Sequence, residues 1–168
     1  TGGLSELVAS NGIVIGAPYS LPYRDGFDGS NQQFVWLEGQ YADWNLGVTS
    51  DISSDGDGKS LAFIPHRADY AFFNLGKLSL AGVEKPTLSF DYYAIPSTTA
   101  ATLGVAVDCA PQGNSTTLQQ IDFQKETEMK WKQVTIDLSQ FKNEPYVIVK
   151  FSMVSLMDVT EQVPIVID

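Results

Sequence analysis

Cysteine and histidine are almost absent from this chain, with one residue of each among 168. Because a disulfide needs two cysteines, Cys109 cannot form one within the chain, so the fold is not a small disulfide framework. A zinc site built from cysteine and histidine is excluded for the same reason, since His66 is the only other residue of that kind. We interpret Cys109 as a buried thiol and His66, between Pro65 and Arg67, as a loop residue.

Positive charge is also scarce, because 10 Lys and Arg residues stand against 20 Asp and Glu, giving a net charge of −10. Such a surface repels phosphate polymers and anionic membranes, so nucleic acid is not an expected partner. Charged residues of both signs make up only 18% of the chain, whereas hydrophobic residues make up 43%. The hydrophobic content is sufficient for a core, and the remaining surface must be small and polar, as is typical of β-rich extracellular modules.

Two further kinds of segment are missing from the sequence. No apolar run reaches the length of about 18 residues that a membrane-spanning helix needs, so we expect no membrane insertion. The motifs G-x-S-x-G, H-E-x-x-H, G-x-G-x-x-G and the P-loop are also absent, and we therefore expect no enzymatic activity. A pair of carboxylates could still support glycoside hydrolysis, and this stays a minor alternative because 20 acidic residues nominate no particular pair.

What is present is a series of short runs with alternating apolar residues, separated by loops rich in Gly, Pro, Asn, Asp and Ser. The clearest run is Thr87 to Ala94, in which Leu88, Phe90 and Tyr92 share one face. The spacing predicts an antiparallel two-sheet sandwich, an all-β fold. The other predicted strands are 33–37, 44–48, 60–64, 68–74, 103–108, 132–138, 146–152 and 165–167.

Helical patterns are weak throughout the chain. No stretch of about 12 residues supports an amphipathic helix, so βαβ architectures are disfavoured. Residues 119–129 are polar and mixed, and they are compatible with a strand, a turn or one helical turn. Residues 1–18 are glycine-rich with little periodicity, so we predict an N-terminal arm or linker there, followed by the sandwich at 19–168.

The segment 51–58 reads Asp-Ile-Ser-Ser-Asp-Gly-Asp-Gly and imitates the first half of a calcium-binding loop. Asp55 and Asp57 supply carboxylates, and Gly56 permits a sharp turn between them. An EF-hand is excluded, because the twelfth position is Ala62 and the flanking residues are strand-like. Two interpretations stay open for this loop: a calcium site, or a plain turn that such residues favour for conformational reasons.

Aromatic side chains are the other candidates for binding, since an aromatic plane matches the apolar side of a sugar ring. Trp36 and Tyr92 lie on strands with apolar alternation and Trp131 opens one, so these three are expected in the core. For the remaining candidates a place in the core or at its rim is the alternative to ligand binding. The predicted ligand-binding residues are Trp44, Tyr93 and Tyr41.

A set of short segments in a fixed order along 19–168 forms a combined pattern. They are 21–28, Trp36, Trp44, 55–58, 78–80, 86–92, 131–141, 147–151 and 165–168. In order and spacing they resemble the MAM-like jelly-roll modules of the cleaved-adhesin and choice-of-anchor type, which are common in secreted proteins of Bacteroidetes.

This resemblance implies a galactose-binding or MAM-like jelly roll with a non-catalytic binding or adhesion role. It implies a secreted or cell-surface location beside neighbouring domains of a larger chain, with a carbohydrate or a protein as the ligand. It also implies a structural calcium that joins the first strand to the last, held by Asp28 and Asp168 with Asp55 or Asp57. The alternative is a structural spacer or assembly domain that has no ligand of its own.

Overall fold

A computed structural model describes residues 16–27, 34–38, 46–49, 52–56, 59–64, 69–111, 113–156 and 164–168, with only the backbone of 34–38, 46 and 69. Two single-turn 3-10 helices, Phe123–Lys125 and Ser139–Phe141, interrupt a chain of strands. Over these ranges no helix is long and apolar enough to cross a membrane. The strands are β1 (Tyr19–Ser20), β2 (Phe34–Glu38), β3 (Leu46–Thr49), β4 (Ser60–Phe63), β5 (Asp69–Ser79), β6 (Thr87–Ala94), β7 (Ala101–Cys109), β8 (Asn114–Asp122), β9 (Lys130–Asp137), β10 (Val147–Ser155) and β11 (Ile165–Ile167).

The strands form two sheets, which confirms the predicted all-β sandwich. The six-stranded sheet has the order β1-β5-β10-β7-β8, and β2 also pairs with β5. The five-stranded sheet has the order β3-β4-β11-β6-β9. The pairing is antiparallel except between β1 and β5, which run parallel.

The core lies between the two sheets and is built from the alternating apolar residues. Phe73 and Phe151, from neighbouring strands of the six-stranded sheet, stack with ring centroids 4.8 Å apart. Phe90 of the five-stranded sheet meets Phe151 edge-on at 5.2 Å, so an aromatic contact joins the two sheets. Leu103 and Val105, which alternate along β7, are fully buried.

The strand ends differ from the predicted ones where apolar alternation stops before the hydrogen bonding does. The strand predicted at 68–74 extends to Ser79, because β5 continues past a register shift opposite Ile148 and Lys150. The open segment at 119–129 contains the end of β8 and then the turn Phe123–Lys125. Its alternation is weak because β8 is an edge strand, in which Ile121 is the one buried residue.

The strand β11 lies in the middle of the five-stranded sheet and not at its edge. Ile165 pairs with Phe63 of β4, and Ile167 pairs with Tyr92 of β6. β11 therefore connects strands that are otherwise separate. Residues 1–15 lie outside the described residues, so the arm over 1–18 stays a prediction.

Candidate ligand-binding site

The end of β11 contacts the loop that the sequence singled out for calcium. The backbone of Asp168 pairs with that of Asp91 through hydrogen bonds of 2.7 and 2.8 Å. Its carboxylate accepts a hydrogen bond from the backbone N–H of Ser54 at 2.7 Å. The adjacent Asp55 forms an ion pair with Arg24 at 2.9 Å, which connects the loop to the segment after β1. Two of the four predicted metal ligands, Asp55 and Asp168, thus lie on adjoining elements.

These elements line a cavity of about 390 Å³, whose walls also include Phe73, Phe90 and Phe151 from the two sheets. In it, Asp25 accepts hydrogen bonds from the backbone N–H of Phe27 at 2.9 Å and from the Tyr23 hydroxyl at 3.4 Å. The first bond supports the left-handed backbone of Phe27, whose φ is 56°. Burial, followed by the charge and hydrogen bond of Asp25, raises the pKa of Tyr23 above its ordinary value.

The carboxylates of Asp25, Asp55 and Asp168 at this cavity each have a partner within the protein. Among the side chains that the structure describes, no group of three Asp, Glu, His or Cys could hold a metal ion. Asp28 and Asp57, the other two predicted ligands, lie outside the described residues. Nothing in the geometry of the described carboxylates singles out a hydrolytic pair.

The predicted ligand residue Tyr93 lies on the outer face of the five-stranded sheet, opposite Trp131 of β9. Their ring centroids are 5.3 Å apart with the planes at 62°, and both side chains are half-buried. Trp131 was expected in the core. That expectation is wrong, because the residue points away from the inward row of Phe90 and Tyr92. The predicted ligand residues Trp44 and Tyr41 lie outside the described residues, and the side chain of Trp36 is also not described.

Tyr92, expected in the core, is buried there and belongs to a polar network. Its hydroxyl donates to Glu126 at 2.8 Å, and Lys132 forms an ion pair with the same carboxylate. Burial raises the pKa of Tyr92 above its ordinary value, and the hydrogen bond and charge of Glu126 act in the same direction. This network attaches the turn after β8 to β6 and β9, which is a structural role.

Sequence reasoning missed a second aromatic pair, on the outer face of the six-stranded sheet. Tyr70 and Phe72 of β5 are 40% and 39% exposed, and their ring centroids are 5.3 Å apart. Ala71 and Phe73, which alternate with them, are fully buried. The period of two would have identified the exposed pair once the inward register of β5 was fixed.

The residues beside this pair are small or polar. Across the sheet, Phe72 is in register with Ser152 of β10. Ser152 pairs in turn with Gly104 of β7, and Gly104 pairs with Gln120 of β8. A Cβ atom on Gly104 would overlap the hydroxyl oxygen of Ser152, so the absence of a side chain there keeps the surface low. We call the outer surface formed by Tyr70, Phe72, Ser152, Gly104 and Gln120 the aromatic face.

Together these features define a two-sheet β-sandwich module with an exposed aromatic pair above a low, polar surface. No protein-family model matches the chain, and no curated protein matches it. Its fold is similar to that of solved bacterial binding and adhesin modules.

One similar structure comes from work on the promiscuous specificity of carbohydrate-binding modules of the β-sandwich superfamily. It shares 16% sequence identity with this chain at a TM-score of 0.56, and the match covers 84% of this chain and 57% of that one. The chain thus spans little more than half of that protein. A second, CBM27-1 from Caldicellulosiruptor saccharolyticus in complex with mannohexaose, has 14% identity and a TM-score of 0.54, over 81% of this chain and 87% of that one.

The K1 cleaved adhesin domain of Lys-gingipain from Porphyromonas gingivalis has 15% identity and a TM-score of 0.58. The match covers 86% of this chain and 92% of that one. At these identities the similarity establishes the fold.

Proposed function

We propose that this chain is a non-catalytic carbohydrate-binding module of a secreted or cell-surface protein, and that it binds its ligand on the aromatic face. The observation that carries the proposal is the Tyr70–Phe72 pair, which exposes two neighbouring rings beside the low surface at Gly104. Adjacent exposed aromatic residues are costly in water, and they mark a surface at which an apolar partner is bound.

The chemistry of this face suits a sugar better than a wholly apolar ligand. The aromatic rings offer flat surfaces for the carbon side of a sugar ring, while Gln120 and Ser152 offer donors and acceptors for its hydroxyls. The resemblance to MAM-like modules of larger surface proteins supports a binding role beside neighbouring domains. The similar fold of known carbohydrate-binding modules supports the same ligand class.

A glycan array followed by affinity electrophoresis tests the proposal. Tyr70→Ala and Phe72→Ala should each weaken binding of the best glycan by about tenfold or more, as expected for aromatic residues at the centre of an interface. Tyr93→Ala is the matched control, because it removes an aromatic ring from the opposite sheet and should leave the affinity unchanged.

Two results would contradict the proposal. If the folded wild-type protein binds no glycan or polysaccharide, the chain is better explained as a spacer or assembly domain. If Tyr93→Ala abolishes binding while Tyr70→Ala does not, the ligand binds on the five-stranded sheet, as the sequence predicted for Tyr93.

We also propose that calcium braces the loop 52–56 against the end of β11. The contact of Asp168 with Ser54 and the position of Asp55 beside it support this, and the set would be completed by Asp28 and Asp57. The ion pair of Asp55 would not prevent coordination, because the Arg24 side chain is 81% exposed and its pairing is weak.

Thermal unfolding with calcium and with a chelator tests this second proposal. Calcium binds only the folded state, so a concentration of 100 times Kd should stabilise the protein by about 2.7 kcal/mol. Asp168→Asn should remove the response, whereas Glu84→Gln, which changes an exposed carboxylate outside this cavity, should retain it. A melting temperature unchanged by millimolar calcium would leave the loop as a plain turn.

A further inference from the structure

The aromatic face ends at a row of charged side chains that crosses the six-stranded sheet. Lys150 of β10 donates to the carboxylate of Asp108 on β7 at 2.8 Å and to the hydroxyl of Ser115 on β8 at 3.2 Å. On the other side of β10, the ammonium of Lys77 lies 4.6 Å from the centre of the Tyr146 ring. We call the row formed by these residues the lysine bar.

The lysine bar is a fixed part of the surface. The Asp108 side chain is 4% exposed and that of Lys150 is 28% exposed, so their charges are partly removed from water. Asp108 also accepts from the backbone N–H of Gly113 with both oxygens, at 2.9 and 3.0 Å. A neutral ligand cannot displace this pair easily, because separating it would leave a buried charge without compensation.

The direction of a bound chain follows from the aromatic pair. Tyr70 and Phe72 lie two residues apart on β5, so consecutive sugar rings that stack on them run along the strands. Tyr70 pairs with Val154 of β10, and Asn74 pairs with Lys150. These two positions are four residues apart along β5. At about 3.4 Å per residue this is about 14 Å, which is room for about three pyranose rings.

We infer that the aromatic face is closed at the lysine bar, so that it binds a short oligosaccharide or the end of a glycan chain and not the interior of a long polysaccharide. This inference rests on the proposed carbohydrate-binding function. It adds to that function a limit on ligand length, set by Lys150 and Asp108.

A second observation marks where the exposed surface ends. Asn74 follows Phe72 by two residues on β5 and is in register with Lys150. Phe72 is 39% exposed, whereas Asn74 is 1% exposed and its amide nitrogen is out of reach of solvent. The surface open to a ligand therefore stops between Phe72 and Asn74, at the row of Lys150.

The test is a length series of oligosaccharides, from disaccharide to hexasaccharide, of the glycan that binds best on the array. Isothermal titration of the wild-type protein should show affinity rising to about the trisaccharide and then staying level within about twofold. Long polysaccharides should bind in proportion to their chain ends and not to their mass.

A double variant, Lys150→Ala with Asp108→Asn, removes the long side chain at the centre of the bar and does not leave a buried carboxylate without its cation. It should bind the hexasaccharide more tightly than the trisaccharide, by about threefold or more. Lys142→Ala, which shortens an exposed lysine elsewhere, is the matched control and should retain the wild-type plateau.

Affinity of the wild-type protein that continues to rise up to the hexasaccharide would overturn the inference while leaving the proposed function intact. A plateau that persists in the folded double variant would overturn the assignment to Lys150 and Asp108. If no glycan of any length binds, the proposed function fails as well, and this outcome differs from the other two. The wild-type series decides the main point even where a variant does not fold.

Discussion

Replacing Gly104 by alanine would put a methyl group where the hydroxyl of Ser152 lies. The added Cβ overlaps that oxygen, whereas the next atom of Ser152, its Cβ, would be 3.8 Å away, which is an ordinary contact. The collision therefore involves a single atom. Removing it with Ser152→Ala should make room for the methyl group.

The magnitudes follow from two opposing effects. An extra methyl group in a filled site costs about 1–3 kcal/mol, whereas replacing glycine by alanine at a compatible backbone stabilises by about 0.4–1 kcal/mol through the unfolded chain. Gly104→Ala should therefore destabilise the wild-type protein by about 0.5–2 kcal/mol and stabilise the Ser152→Ala protein by about 0.5 kcal/mol.

Urea unfolding of the wild type, both single variants and the double variant measures this coupling. The free energies of unfolding should be non-additive by about 1–2.5 kcal/mol, which is the difference between the two expected effects of Gly104→Ala. Additivity within about 0.5 kcal/mol would refute the reasoning, because it would mean that the Ser152 hydroxyl rotates away without cost.

Two other variants test the core and the polar network. Phe151→Ala should lower the free energy of unfolding by about 3–5 kcal/mol, since Phe151 contacts both Phe73 and Phe90. Phe151→Leu should lower it clearly less, and equal losses in urea unfolding would contradict this expectation. The raised pKa of Tyr92 means that above pH about 10 the unfolded chain loses a proton that the folded protein keeps, so stability falls with pH by at most about 1.4 kcal/mol per unit from this group. Tyr92→Phe should flatten this alkaline decline, and an unchanged slope would exclude Tyr92 as its source.

The fold was predictable from the sequence wherever a strand has one buried face. Thr87–Ala94 has the predicted bounds because apolar and polar residues alternate up to its ends. Ile165–Ile167 also has the predicted bounds, because it is a short run of apolar residues that are all buried. The edge strand β8 was not recognised, because its polar side chains leave almost no periodic signal. Its hydrogen bonds to β7 depend on the backbone, which any sequence of suitable geometry provides.

The candidate site was less predictable, because it depends on neighbours from distant parts of the chain. Tyr70 and Phe72 look like core residues in a run of aromatic and apolar residues, and only the register of β5 places them outside. Gly104 and Ser152 come together through the pairing of β7 with β10, which no local pattern specifies. The predicted Tyr93 and the observed aromatic face lie on different sheets, and the binding experiment chooses between them.

The central position of β11 affects how the domain can assemble. Without residues 165–167 the five-stranded sheet would be two separate ribbons, β3 with β4 and β6 with β9, and each would present an unpaired edge to other molecules. Along the chain, Ile165 lies 102 residues after its partner Phe63, and Ile167 lies 75 residues after its partner Tyr92. The insertion of β11 between the ribbons is therefore a slow, long-range event. During synthesis the ribbons emerge first and remain prone to aggregation until the late strand inserts between them.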